Sequence, residues 1–398
     1  MIGALVLILF LFLINQGFFQ TLSKRHIWFS KKLMNSLFFY HLFFLGVYYT
    51  YTLFNRSDST LYYERPQWGE TWWEYFGTST TFIDFISWPF INVLGFSYEM
   101  MMVLFAWFGY IGFVYAYMFF RENIPIKIKV FNIDFLVLVL FLPNMHFWTA
   151  SLGKGAPIFM GLMMFAYAIK NPKGRLVTLI LGSLITYYIR PHVFLFVAAG
   201  TVLGYMTGKE KIALWKKILI YVGMIGSLIL VQDTILGIAG LEGSDDIVED
   251  FSDFSTTRAE KLDNAGSGVN MANYPLPLKL FTFWFRPLFL DAPGALGLIV
   301  SLENLLYLLL FCKILKKDFI SFLKKSPISV KMSITVFLLA SFAMSFVMSN
   351  LGIIMRQKSM VMYFLFFVIY YYLAQKKYDG IMLLRRKRKK QNSEVVMK

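Results

Sequence analysis

The 398-residue chain has one cysteine, Cys312, so no disulfide and no cysteine-based metal site can form within it. Charge is scarce as well. Asp, Glu, Lys and Arg make up 16% of the residues, against 58% hydrophobic and 19% aromatic. One soluble core cannot hide that much apolar surface, which excludes an ordinary soluble enzyme. The histidines stand apart at 26, 41, 146 and 192 and make no metal site. No serine has a G-x-S-x-G context, and the acids from Asp233 to Asp263 lack EF-hand spacing. Neither a metal nor an organic cofactor is expected. Repeats and a soluble domain are missing too.

What is there is a series of apolar runs. Eleven stand out, at 2–19, 35–54, 99–120, 132–149, 155–169, 176–189, 193–207, 218–236, 294–312, 332–349 and 359–375. They predict an all-α, polytopic integral membrane protein with about 11 transmembrane or re-entrant helices in a single transmembrane domain, 1–398. Several runs are shorter than the ~20 residues of a straight span, so they thin the bilayer or pair as shallow hairpins. The start, "MIGALVLILFLFLINQGFF", has no basic n-region or small-residue cleavage pattern and reads as a retained first span.

The basic residues set an orientation. Segments after spans 1, 3, 5, 7, 9 and 11 hold 29 of the 39 Lys and Arg residues. By the positive-inside rule this predicts the N-terminus outside and the C-terminus cytoplasmic. The net charge of +16 then needs no nucleic acid. The tail, 376–398, carries "RRKRKK" and suits anionic lipid headgroups. Two outer loops are long, 55–98 and 237–293. The first is rich in Trp, Tyr and Phe, and its part "TWWEYFGTSTTFIDFISWPFINVL" predicts one or two helices lying flat at the interface.

The ten other basic residues run against this trend, so each needs a reason. Arg190 and His192 flank Pro191, which breaks the hairpin 176–207 at its outer turn. A guanidinium there offers a fork for phosphate; the plainer reading is a snorkelling side chain. Lys154 sits in "NMHFWTASLGKGAP", where small residues and a helix start favour an anion, although the glycines do not have Walker A spacing. Arg286, in "FTFWFRPLFLDAPG", lies in a re-entrant or interfacial segment, with an ion pair to Asp291 as the structural alternative. Glu303 is a carboxylate inside the next span, a neutralising partner or a site residue. Arg356 and Lys358, in "GIIMRQKSM", form the last outer loop. Asp58, in "NRSDSTLYY", is the acid best placed to act as a base beside a phosphate site.

Several cations at the outer side of short, broken spans suit a lipid-linked phosphate or pyrophosphate. The matching chemistry is glycosyl transfer. Cations stabilise the departing lipid (pyro)phosphate, and a carboxylate or histidine, Asp58 or His192, deprotonates the acceptor hydroxyl. Lys154, Arg286, Glu303 and Arg356 are expected to bind the substrate, with Arg190 acting in catalysis.

The order "DSTLYY", "LPNMHFWTASLGKGAPIF", "YYIRPHVFL", "FRPLFLDAPGALGLIVSLENLLYLL" resembles bacterial envelope proteins grouped with oligosaccharide repeat-unit (O-antigen type) polymerases. More distantly, it is similar to GT-C membrane glycosyltransferases. The resemblance covers most of the chain through short motifs. It implies functional outward arginines, here Arg190 and Arg286, and a catalytic acid in the first outer loop, here Asp58. The loop follows span 2 where the GT-C pattern has it after span 1, no paired-acid motif is present, and Arg190 is followed by glycines at 200 and 204. The implied partners are a polyprenyl-linked saccharide, membrane lipids and envelope glycan-assembly proteins, and the implied location is the inner (cytoplasmic) membrane. Two other readings stand beside the polymerase: a single-sugar GT-C-type transferase, and a non-enzymatic transporter or partner of lipid-linked glycans. A transporter should show matched halves, which the sequence lacks.

Overall fold

The computed structural model describes residues 1–55 and 57–210, scattered positions from 213 to 226, residues 269 and 271, and then 274–292, 294–348 and 350–396, with side chains to 386. The larger part of the expected span 218–236, the acidic part of the loop 237–293, and Arg56, Arg258 and Lys261 lie outside the described residues.

The described chain is almost wholly helical. The first helices are α1 (Ile2–Arg25), α2 (Lys31–Phe54), α3 (Asp58–Glu64), α4 (Thr80–Trp88) and α5 (Tyr98–Asn123). Next come α6 (Phe135–Leu140), α7 (Pro143–Thr149), α8 (Gly155–Ala168), α9 (Leu176–Ile189) and α10 (Pro191–Thr207). After the undescribed stretch follow α11 (Leu276–Phe285), α12 (Gly294–Cys312), α13 (Phe319–Lys324), α14 (Ile328–Val347) and α15 (Leu351–Val396). Among the described residues, a two-residue hairpin, β1 (Lys129–Val130) with β2 (Ile133–Asp134), is the sole sheet. Its turn residues Phe131 and Asn132 have φ of 52° and 62°, the left-handed pair that a two-residue hairpin favours.

Local sequence explains where helices start. Pro143 and Pro191 occupy first helical positions, where a missing N–H costs nothing. Ser30 and Ser97 cap α2 and α5 by accepting from Leu33 and Met100 backbone N–H. Among the described residues, five helices are long and apolar enough to cross a membrane: α1, α2, α5, α14 and residues 351–386 of α15. Segments α5 and α15 form the centre, 83% and 78% buried over their most apolar stretches, whereas α1 is 22% buried. On α1, Leu5, Leu9 and Leu13 point outward at 60–64% exposure, a surface suited to lipid and not to water. The chain is an all-α, membrane-embedded protein.

Two expectations change. The run 132–149 is broken in two, because Pro143 opens a new helix after Phe141 and Leu142. The segment holding Arg356 and Lys358 is helix rather than loop. Asn350 accepts from Ile353 N–H at 3.2 Å and starts α15, and no glycine or proline interrupts residues 353–379.

Turns gather at two ends. At one, Arg175 bonds Glu122, Lys209 N–H bonds the Ser326 carbonyl, and Lys377 bonds the Lys127 carbonyl. This is the basic end. At the other, the 55–98 segment meets the turns near 154 and 190 and the start of α15. Between the ends, small residues allow close packing: a Cβ on Gly182 would lie 2.9 Å from the Gly161 carbonyl. Buried polar pairs cross the middle, including Asn15 with Trp107 at 3.0 Å and His41 with His146 at 2.8 Å.

Candidate anion site

The end opposite the basic one carries the candidate site. Lys154 sits immediately before α8. Its Nζ donates to Ser79 Oγ at 2.7 Å, and Ser79 N–H donates to the Tyr188 carbonyl at 2.6 Å. Ser79 has φ 66°, a strained conformation for serine held by these contacts. Gly153, at φ 152°, is needed for the turn, and a side chain there would press on the Tyr62 ring at 3.3 Å. Burial, with Arg190, Arg356 and Arg65 nearby, lowers the Lys154 ammonium to about 8.

Arg190 joins α9 to α10 and is 9% exposed. Nη1 donates to Gln357 Oε1, and Nε is buried without a hydrogen-bond partner. Burial, then Arg356, lowers its guanidinium to about 10, so it stays charged at neutral pH. Tyr62, 5% exposed, lies among these cations: Arg65 rests over its ring at 4.9 Å, and Arg190 and Arg356 both act on it or are acted on by it electrostatically.

Helix α15 is the hub. Arg356 Nη1 donates to Asp58 Oδ2 at 3.2 Å, Gln357 takes Arg190, and Lys358 Nζ donates to the Arg286 carbonyl at 2.6 Å. Three successive residues thus hold three separate segments. Lys358 has no exposed surface. Arg286 itself is ion-paired with Asp291, so the structural alternative for that arginine is what the fold contains. Glu303 is buried and accepts from Asn144 N–H at 2.8 Å and from Tyr307. Asn144 in turn donates to the Met355 carbonyl at 2.9 Å. His192 lies half-buried in the first turn of α10, its ring 6.3 Å from that of Phe196. Asp58, with a side chain 65% exposed, is open to solvent.

Counter-charges divide these cations. Arg65, Arg286 and Arg356 have carboxylate partners in Asp84, Asp291 and Asp58. Among the described residues no carboxylate lies within 4.0 Å of Lys154, Arg190 or Lys358. Asp58 acts on Lys154 from farther away, as Glu303 and Asp291 act on Lys358; among the described residues no acid does so for Arg190. Buried cations lacking near counter-ions are costly, and a bound anion would remove that cost.

The fold therefore brings Asp58, Lys154, Arg190 and Arg356 together, and links Arg286 and Glu303 to them through Lys358. Sequence reasoning missed Tyr62, Ser79, Gln357 and Asp84. Asp84 is 2% exposed, and burial lifts its carboxyl to about 6 against the pull of Arg65, 3.1 Å away. A lone acid between apolar residues in "TFIDFI" was the available signal. Comparison with protein-family models, curated proteins and solved structures found no match.

Proposed function

We propose that this protein is a membrane glycosyltransferase of envelope polysaccharide assembly, joining repeat units carried on polyprenyl (pyro)phosphate. In this reading it crosses the cytoplasmic membrane with about eleven spanning or re-entrant segments. The end bearing Asp58, Lys154 and Arg190 faces outward, and the basic end and the C-terminus are cytoplasmic. The separation of basic turns from the Asp58 end supports that orientation.

The observation that carries the reading is the set Lys154, Arg190 and Lys358, cations that, among the described residues, have no carboxylate within 4.0 Å. They suit a lipid-borne (pyro)phosphate whose tail lies between helices. As the sugar C1–O bond to phosphate breaks, its electron pair stays on the phosphate oxygen. Arg190 and the lysines stabilise that charge. The acceptor hydroxyl oxygen forms the new bond to C1, and its proton passes to a carboxylate. Asp58 suits this role because it is exposed and is held by Arg356 at 3.2 Å.

The test is Arg190→Ala expressed in place of the parent chain, with the envelope glycan resolved by length. At equal membrane insertion, long chains should fall about 100-fold or more, the loss typical of a main charge-stabilising group. An unchanged ladder removes the enzymatic reading. Repeat units lacking one sugar would point to a single-sugar transferase instead.

A further inference from the structure

Beside Lys154 lies a row of aromatic rings that the cation site does not use. Trp72 stacks on Phe85 at 4.6 Å and 13°. Phe85 and Phe82 are near-parallel at 6.1 Å and 16°, and Phe82 stacks on Tyr188 at 4.8 Å and 19°. Trp73 and Phe76 flank the row, 67% and 50% exposed, and each contacts Phe85. Tyr188 precedes Arg190 by two residues, and its carbonyl holds Ser79, the hydroxyl partner of Lys154. The row therefore starts at the surface and ends at the cations.

Two occupants suit exposed aromatics at a membrane boundary, lipid headgroups or sugars. Charge separates them. Segments that lie on anionic membranes carry Lys and Arg on the polar face. From 66 to 98 this chain has neither, while Glu70 and Glu74 bracket Trp72 and Trp73. Thr71, Glu74 and Thr81 are exposed around the rings, and Glu74 is already held in place by Thr71 at 2.8 Å. Ring faces carry negative charge density and accept the C–H faces of a sugar, while fixed carboxylate and hydroxyl oxygens accept its O–H groups. The same carboxylates are repelled by anionic lipid.

We propose that Trp72, Trp73, Phe76 and Phe85 form a saccharide-binding shelf. It holds the glycan portion of the substrate whose (pyro)phosphate sits at Lys154 and Arg190, and so rests on the function proposed above.

The test uses Trp73→Leu and Trp73→Tyr in full-length protein, read as the envelope glycan ladder at equal inserted protein, beside Arg190→Ala. Leucine keeps the apolar bulk and loses the ring; tyrosine keeps a ring. The shelf predicts about a tenfold loss of long chains for Trp73→Leu and near-parent ladders for Trp73→Tyr. Parent-like ladders for both overturn it and assign the rings to the membrane surface. Equal loss in both also overturns it, since the ring would then not be what matters. If Arg190→Ala abolishes long chains while Trp73→Leu does not, the shelf fails alone. If Arg190→Ala also leaves the ladder intact, the underlying function fails.

Discussion

The two ends of the bundle use positive charge differently. At the basic end, Arg121 pairs with Asp134 at 3.0 Å, Arg175 with Glu122 at 2.8 Å, and Lys376 with Asp318 at 2.9 Å. These pairs tie neighbouring turns together, and Arg175 also covers the Tyr167 ring at 3.7 Å. At the other end, Arg65, Arg286 and Arg356 are paired in the same way, but Lys154, Arg190 and Lys358 each donate to a neutral acceptor, a hydroxyl, an amide and a carbonyl. Neutral acceptors hold a cation in place without cancelling its charge. In the proposed function the paired arginines are scaffold, and the set without close carboxylates takes the anion.

The comparison can be broken most forcefully at Lys358. If it were scaffold, replacing this buried charge by an apolar chain of similar length would leave function alone. The account predicts that Lys358→Met lowers long-chain glycan about tenfold while the melting temperature holds or rises, because a fully buried charge, balanced by Glu303 and Asp291 from a distance, is removed. A parent-like ladder would move Lys358 to the scaffold class.

A smaller effect sharpens the picture at Lys154. Its folded-state value lies below the usual lysine value of 10.5, at about 8, so the ligand-free protein gives up this proton as pH rises through about 8. Binding of inorganic pyrophosphate should weaken several-fold, on the order of one lost charge contact, across that range. In Lys154→Arg the fall should move to higher pH, because arginine keeps its proton. The ligand's own titration is common to both proteins, so superimposable pH profiles would count against a role for Lys154.

The smallest effect on product is expected at the basic end. Asp134→Asn leaves Arg121 nearly buried without its carboxylate, its side chain being 8% exposed. Stability should fall by about 1–3 kcal/mol, read by thermal denaturation in detergent, with an unchanged glycan ladder. A shortened ladder at undiminished stability would blur the distinction between the two ends.

Much of the architecture was legible because charge in a membrane is expensive. Lysine and arginine clusters marked which turns lie together, and Pro191 marked the break between α9 and α10, whereas the helix start at Pro143 went unread inside the run 132–149. The contents of the site were less legible. Arg356 and Lys358 read as loop because two charges and a glutamine interrupt an apolar pattern. A cap at Asn350 and burial in the centre of the bundle overrode that pattern. Gln357 carried no signal at all, since a neutral amide inside a helix is ordinary until Arg190 is placed against it. Asp58 stood out by its position in the loop 55–98, whereas Asp84 is the acid of that loop that folding buries. Both belong to one cluster through Arg65, Tyr62 and Arg356, a convergence that only tertiary structure supplies.

The central claim is that Lys154, Arg190 and Lys358 together bind a (pyro)phosphate. Equilibrium binding of radiolabelled inorganic pyrophosphate to purified full-length protein in lipid nanodiscs tests it directly, with Arg190→Ala alongside. The account predicts saturable binding to the parent protein, weakened at least about tenfold in Arg190→Ala, as expected for loss of a charge-assisted contact. Saturable binding of equal affinity in both proteins, or none in the parent, would contradict it.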